Sequence, residues 1–187
     1  MGLLFRPQAG FALAHEFQRS GAKLGELFAF ASELYFRGKL AYARKFARPP
    51  PGVAGALVIA PGRGLLDAET TVTVADLRAM AEVPIELGDP RYREALERDA
   101  RALAGQDCEV VLLGSVATGK YAEVLEAALG ERLLFPADFV GRGDMSRGGL
   151  LLRAVAAGEE LRYQKLRGAV RRGARPPKLG PFRKGGS

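Results

Sequence analysis

Cysteine and histidine each occur once in these 187 residues, as Cys108 and His15. One thiol excludes an internal disulfide and a CxxC metal site. One imidazole excludes a His-based zinc site and a two-histidine relay. No apolar run approaches the roughly 18 residues that span a bilayer. Acidic residues are missing from 166–187. What is present is ordinary for a globular chain: apolar residues make up 48% and charged residues 26%. That composition excludes both an intrinsically disordered chain and a disulfide scaffold. Cys108, just before a strand-like run, reads as a small core-edge residue rather than a nucleophile. His15, close to a terminus, reads as a surface or packing residue. The opening Met1-Gly2-Leu3-Leu4-Phe5-Arg6 is too short and broken for a secretory signal. The chain is therefore expected to be soluble and cytoplasmic, which fits an unpaired thiol.

Charge is divided unevenly. The formal net charge is +7, and Arg167, Arg171, Arg172, Arg175, Lys178, Arg183 and Lys184 all lie in 166–187, so residues 1–165 are neutral. The same stretch holds Gly168, Gly173, Gly180, Gly185, Gly186, Pro176, Pro177 and Pro181. Such a segment buries too little apolar surface to offset its ordering entropy. The expected organisation is one domain over 1–165 and a disordered basic tail over 166–187. Three readings of the tail stand open. It is an arm that neutralises nucleic-acid phosphates, a contact for a protein partner, or a solvated extension that aids solubility.

Apolar residues recur at steps of three and four from Leu24 through Leu27, Phe28, Ala31, Leu34 and Tyr35 to Gly38 and Tyr42. That spacing predicts one long helix over about 22–47, stopped by Pro49-Pro50-Pro51-Gly52. Phe30, Phe36 and Leu40 lie off the stripe, so the helix is expected to touch neighbours on more than one side. Ala56–Ala60 reads as a buried strand, followed by a loop over 61–67. Thr73 with Asp76 resembles a capping box that opens a helix over 74–81. Asp89-Pro90 opens another, ending at about Leu103 or Ala104 before Gly105. Glu109–Leu113 and Arg132–Phe135 read as strands, with a helix ending at Leu129 between them. A helix over about 146–157 ends at Gly158, and Leu161–Lys165 reads as a polar edge strand. Strands alternating with helices predict an α/β sandwich of two or three layers. Its central sheet is expected to be mostly parallel, with about four to five strands.

Ligands of such sheets bind where the strands end at their carboxyl side. Three glycine-bearing loops meet that description: 61–67, 114–120 and 136–149. Each carries a cation. Arg63 with Gly64, Ser115 with Lys120, and Arg142 with Arg147 are the candidate phosphate-binding residues, because glycine lets amides approach an anion and arginine grips it with two bonds. Asp67 and Asp144 are the candidate catalytic acids, as a general base or a sugar-hydroxyl partner. The alternative is structural: turns and caps, with the arginines paired to Asp67, Asp138 and Asp144. Gly114–Lys120 nearly fits the phosphate-binding loop G-x-x-x-x-G-K-[ST], but Tyr121 stands where that motif has a small hydroxyl. No motif specifies a metal, a cofactor or an oligomeric state.

Glu33–Ala43, Pro61–Asp67, Gly114–Thr118 and Phe135–Gly149 together resemble an uncharacterised family of bacterial cytoplasmic proteins. The signature is Phe-Pro-Ala-Asp-Phe-Val-Gly-Arg-Gly-Asp-Met-Ser-Arg-Gly-Gly over 135–149. The Leu-Tyr helix followed by a strand and a Gly-Leu-Leu-Asp loop is also distantly similar to the YaaA-like group of peroxide-stress and nucleic-acid-associated proteins. The chain lacks the early strand signature of that group. Neither resemblance implies an established reaction. The expected function is binding of a nucleotide or nucleic acid through phosphate, with cleavage of a glycosidic or phosphoester bond as the reaction to test. The alternative is a non-enzymatic nucleic-acid-binding or assembly factor that works through its tail.

Overall fold

The computed structural model describes residues 12–117 and 119–180. The elements run in order as α1 (Ala12–Ser20), β1 (Ala22–Lys23), α2 (Leu24–Ala31), α3 (Glu33–Phe46), β2 (Leu57–Ala60), β3 (Gly64–Asp67) and β4 (Thr71–Val72). They continue with α4 (Val74–Ala81), α5 (Pro90–Ala104), β5 (Val110–Val111), α6 (Ala122–Leu129), β6 (Leu133–Pro136), α7 (Asp144–Ala157) and β7 (Tyr163–Lys165).

The expected parallel sheet of four to five strands is not what forms. Among the described residues there are three small sheets: β1 with β4, β2 with β3, and β5-β6-β7. Only β5 and β6 run parallel, joined through α6; the other pairs are antiparallel. The physical reason lies in residues 61–67. Pro61-Gly62-Arg63 makes a tight turn in which Gly62 takes φ 71°. The chain then folds straight back as β3, pairing Ala60 with Gly64 and Leu57 with Asp67. Antiparallel strands need only such a short link, whereas parallel ones need a crossover. Gly64 is required there. Its φ is 86°, and a Cβ would collide with the Asp99 carboxylate and lie 2.7 Å from the Ala95 carbonyl of α5.

The expected long helix is two helices. At Ser32 the backbone leaves helical geometry (φ −109°, ψ 10°) while its N–H still bonds Phe28 O. The break lets the segment serve two cores. Leu24, Leu27 and Ala29 of α2, with Leu40 of α3, enter a smaller core with Phe17, Val58, Leu77 and Met80. Tyr42 of α3 enters the larger core with Tyr92, Leu96, Leu133, Phe135 and Leu151. Fully burying one such side chain contributes about 1.5–3 kcal/mol.

Helix ends follow local chemistry. Thr73 and Asp76 form the reciprocal capping box of α4. Asp89 accepts from Arg91 N at 2.9 Å ahead of Pro90 in α5. Gly158 closes α7 in the left-handed region.

The described part of the tail lies against the rest of the chain. Leu166 is fully buried. Residues 169–180 carry no helix or strand, yet they lie back on the loop before α7 and on α7 itself. Gly173 abuts Val140, and the Ala174 carbonyl sits where a Cβ on Gly141 would be. Pro177 O accepts from Arg142, and Gly180 O accepts from Arg153. Both carbonyl–guanidinium bonds are exposed to water. Arg183 and Lys184 lie outside the described residues.

Candidate functional site

The site begins with a helix crossing. A Cβ on Gly148 of α7 would lie 2.8 Å from Tyr35 Cα and 2.9 Å from Leu34 O of α3. A Cβ on Gly38 would lie 2.8 Å from Gly148 O and 3.3 Å from Leu151 Cβ. Two glycines thus bring the two backbones into contact. Further along, Lys45 Nζ donates to Val155 O at 2.7 Å. Contacts at 35/148, 38/151 and 45/155 advance in step, so α3 and α7 run parallel. Their N-termini, and the positive ends of both helix dipoles, share one end of the pair.

Side chains of opposite origin gather at that end. The Tyr35 hydroxyl donates to Leu113 O at 3.0 Å, which ties α3 to the chain just past β5. The Arg147 guanidinium is near enough to pull the Tyr35 pKa down against the effect of burial. Arg147 is 6% exposed, the one charged residue in the described core. Its Nη1 stands 3.6 Å from Asp144 Oδ1, a loose pair with a carboxylate side chain that is 66% exposed. Its charge lies 5.5 Å from the Phe139 ring centroid. Its Nε is buried and has no hydrogen-bond partner. Gly143 occupies the cap position of α7, so no side chain caps that helix start.

Lys39 lies one turn beyond Tyr35 and reaches back over it, Nζ 3.9 Å from the ring centroid. Among the described residues no carboxylate is within ion-pair distance of this ammonium. Burial pushes the Lys39 pKa down to about 8; Arg147 adds to the fall and Asp144 opposes it. Burial likewise pushes the Tyr35 phenol up to about 12, against the pull of Arg147. Near neutral pH Tyr35 therefore stays protonated as a donor, while Lys39 is mostly ammonium with a neutral fraction of about a tenth at pH 7.

The loop after β5 is organised by Tyr121. Its hydroxyl accepts from Ser115 N at 2.7 Å, and Gly114 leaves it room. The residue that breaks the phosphate-loop motif thus occupies an amide that a phosphate-binding loop would offer. Lys120 is exposed, and its carbonyl accepts from the buried Tyr92 hydroxyl at 3.0 Å. Thr118 lies outside the described residues.

The sequence candidates therefore separate. Arg147 and Asp144 stand together, with Ser115 in the neighbouring loop bound to Tyr121. Arg142 donates to Asp138 O, Ser146 Oγ and Pro177 O. Arg63 pairs with Asp76 at 2.7 Å. Gly64 packs on Asp99, and Asp67 accepts from Glu69 N at 2.9 Å to close a turn. The polar partners of the 61–67 hairpin thus include α4, α5 and its own turn. In the tail, Arg171 pairs with Glu126, and Arg167 lies 3.9 Å from Glu131. Arg172, Arg175 and Lys178 are exposed. Lys39, Tyr35 and Tyr121 were not among the sequence candidates. The available signal was a lysine one turn from a tyrosine, on a helix with a glycine at its apolar face.

Among the described residues no three of His, Cys, Asp and Glu are placed to hold a metal, and no helix is long and apolar enough to cross a membrane. No family model matches the chain, and neither a curated protein nor a solved structure matches it.

Proposed function

We propose that the protein binds a phosphate-bearing ligand of the nucleotide class at the shared N-terminal end of α3 and α7. One observation carries the reading: a buried arginine with an unbonded Nε beside an uncapped helix N-terminus. Anions are favoured at such a terminus, and a guanidinium donates two parallel bonds to a phosphate. Arg147 holds the phosphate, and Lys39 adds positive field beside it. Asp144 is the acid available for a proton or a sugar hydroxyl. Cleavage of a glycosidic or phosphoester bond is the reaction to assay first.

Thermal unfolding with inorganic phosphate, nucleoside monophosphates and short oligonucleotides tests the proposal. Ligand at a hundred times its Kd stabilises by about 2.7 kcal/mol, a rise of several degrees for a chain of this size. Arg147→Met is expected to remove that rise. The exposed Arg172, Arg175 and Lys178 support a second reading, in which the tail contacts nucleic acid directly. Deleting 166–187 would also remove the buried Leu166, so replacing those three residues by alanine is the cleaner test. If oligonucleotide binding and its salt dependence vanish in the triple variant but survive Arg147→Met, the tail is the contact.

A further inference from the structure

We infer that Lys39 forms an imine with the carbonyl carbon of a phosphorylated aldehyde or ketone held at Arg147. The inference rests on the phosphate site proposed above and names the substrate class. A sugar freed at a glycosidic carbon is one such carbonyl.

The geometry has three parts. Lys39 Nζ lies against aromatic faces, 3.9 Å from the Tyr35 centroid and 5.8 Å from that of Phe36. Among the described residues no carboxylate closes an ion pair with it, unlike Lys23 on Glu69 at 2.6 Å or Lys165 on Glu131 at 3.0 Å. Gly38, next to Lys39 in the chain, and Tyr35, under its ammonium, both pack on Gly148, one residue past Arg147, so a phosphate bound at the start of α7 places the rest of its ligand toward this lysine.

An amine becomes a nucleophile when burial and a neighbouring cation disfavour its ammonium form. The Tyr35 ring face and the Asp144 charge favour the ammonium. Burial and Arg147 prevail, and the group titrates at about 8 instead of 10.5. At pH 7 such an amine is neutral on the order of a hundred times more often than an ordinary lysine.

In the step, the Nζ lone pair attacks the carbonyl carbon, and a proton passes from nitrogen to oxygen to give a carbinolamine. Protonation of that hydroxyl releases water and leaves the C=N bond. Amine and carbonyl become imine and water, with no oxidant or reductant. The cationic protonated imine then sits beside the ligand's own phosphate.

The test uses the unmodified chain. Pyridoxal 5′-phosphate is added near pH 7.5, borohydride fixes any imine as a secondary amine, and peptide mass mapping locates it. Lys39 is expected to be labelled on the order of tenfold faster than Lys23, Lys45, Lys120 and Lys165. Inorganic phosphate should slow that labelling, and pyridoxal without its phosphate should lose the preference. Labelling of Lys39 no faster than of the surface lysines overturns the inference, as does an equal preference for pyridoxal. A phosphate-induced rise in Tm, abolished by Arg147→Met, would still stand in either case and keep the phosphate site. Loss of that rise as well would remove both.

Discussion

Replacing Gly148 by alanine adds one methyl group at the closest approach of two helices. It would meet Tyr35 Cα at 2.8 Å and Leu34 O at 2.9 Å, both backbone atoms that no rotamer change can move. Ordinary contact needs roughly 3.4–4 Å, so the helices must part by on the order of 0.5–1 Å. Overpacking of this kind costs about 1–3 kcal/mol, and a clash with rigid backbone belongs in the upper half. Against it, alanine gains about 1 kcal/mol over glycine in a helix interior. The net expectation is a loss of about 1–2 kcal/mol, lowering Tm by about 3–6 °C for a chain of this length. Gly149, the next residue, is the control. Among the described residues a Cβ there meets Leu179 Cδ1 alone, at 3.6 Å, so Gly149→Ala is expected to raise stability by about 0.5–1 kcal/mol. Adjacent glycines in one helix thus respond with opposite signs, in urea and in thermal unfolding. Gly148→Ala should also weaken the phosphate-induced shift, because parting α3 from α7 separates Tyr35 from Arg147. A Gly148→Ala protein as stable as the original would refute the close crossing and the site built on it.

Thr73→Ala removes the hydroxyl that accepts from Asp76 N at 3.2 Å and one half of the α4 capping box. Chemical denaturation should show a loss of about 1 kcal/mol. Asp99 governs a pH effect. Burial raises its pKa, but the Arg98 hydrogen bond and the Leu65 N–H outweigh it and hold the carboxyl below its usual value. A depressed folded pKa means stability that is complete above about pH 4 and lost as pH falls through the folded value. Asp99→Asn should flatten that acid limb of a Tm–pH profile; an unchanged limb would show that the Asp99–Leu65 bond contributes nothing.

Helix termini were legible because their causes are local. Thr73 with Asp76, Asp89 with Pro90, and Gly158 each satisfy backbone groups within a few residues, so their spacing carries the information. Strand pairing was not legible for the opposite reason. Pro61-Gly62-Arg63-Gly64 has the composition of a ligand loop and of a hairpin turn alike. What decides is the fit of β3 against α5, with Gly64 against Asp99, 35 positions away in the chain. The break at Ser32 was hidden because the apolar period continues across it; the change is in which core the stripe faces. The site divides in the same way. Arg147 and Asp144 stood out as charges in a glycine-rich segment. Lys39 and Tyr35 lie on a helix whose stripe reads as ordinary core, and only the Gly38–Gly148 crossing gives them chemical neighbours.

Several close ion pairs among the described residues lie where they contribute little. Arg63–Asp76 at 2.7 Å and Arg91–Asp89 at 2.6 Å involve arginines half-exposed to water, where such pairs contribute about 0–1 kcal/mol. The buried Arg147 has the looser 3.6 Å partner, and its Nε has none. Desolvating a guanidinium costs several kcal/mol unless an anion and hydrogen bonds compensate it. A purely structural arginine at this depth should have drawn a close carboxylate. The deficit is understandable if a ligand anion supplies the compensation, and it fixes the sign of one measurement. Without ligand, Arg147→Met keeps much of the apolar stem and removes an undercompensated charge, so stability should change by no more than about 1 kcal/mol, or rise. With phosphate, the original protein should overtake the variant. A loss of about 3–5 kcal/mol in the ligand-free variant, the size found when one partner of a satisfied buried pair is removed, would make Arg147 a structural residue and take away the main support for a phosphate site.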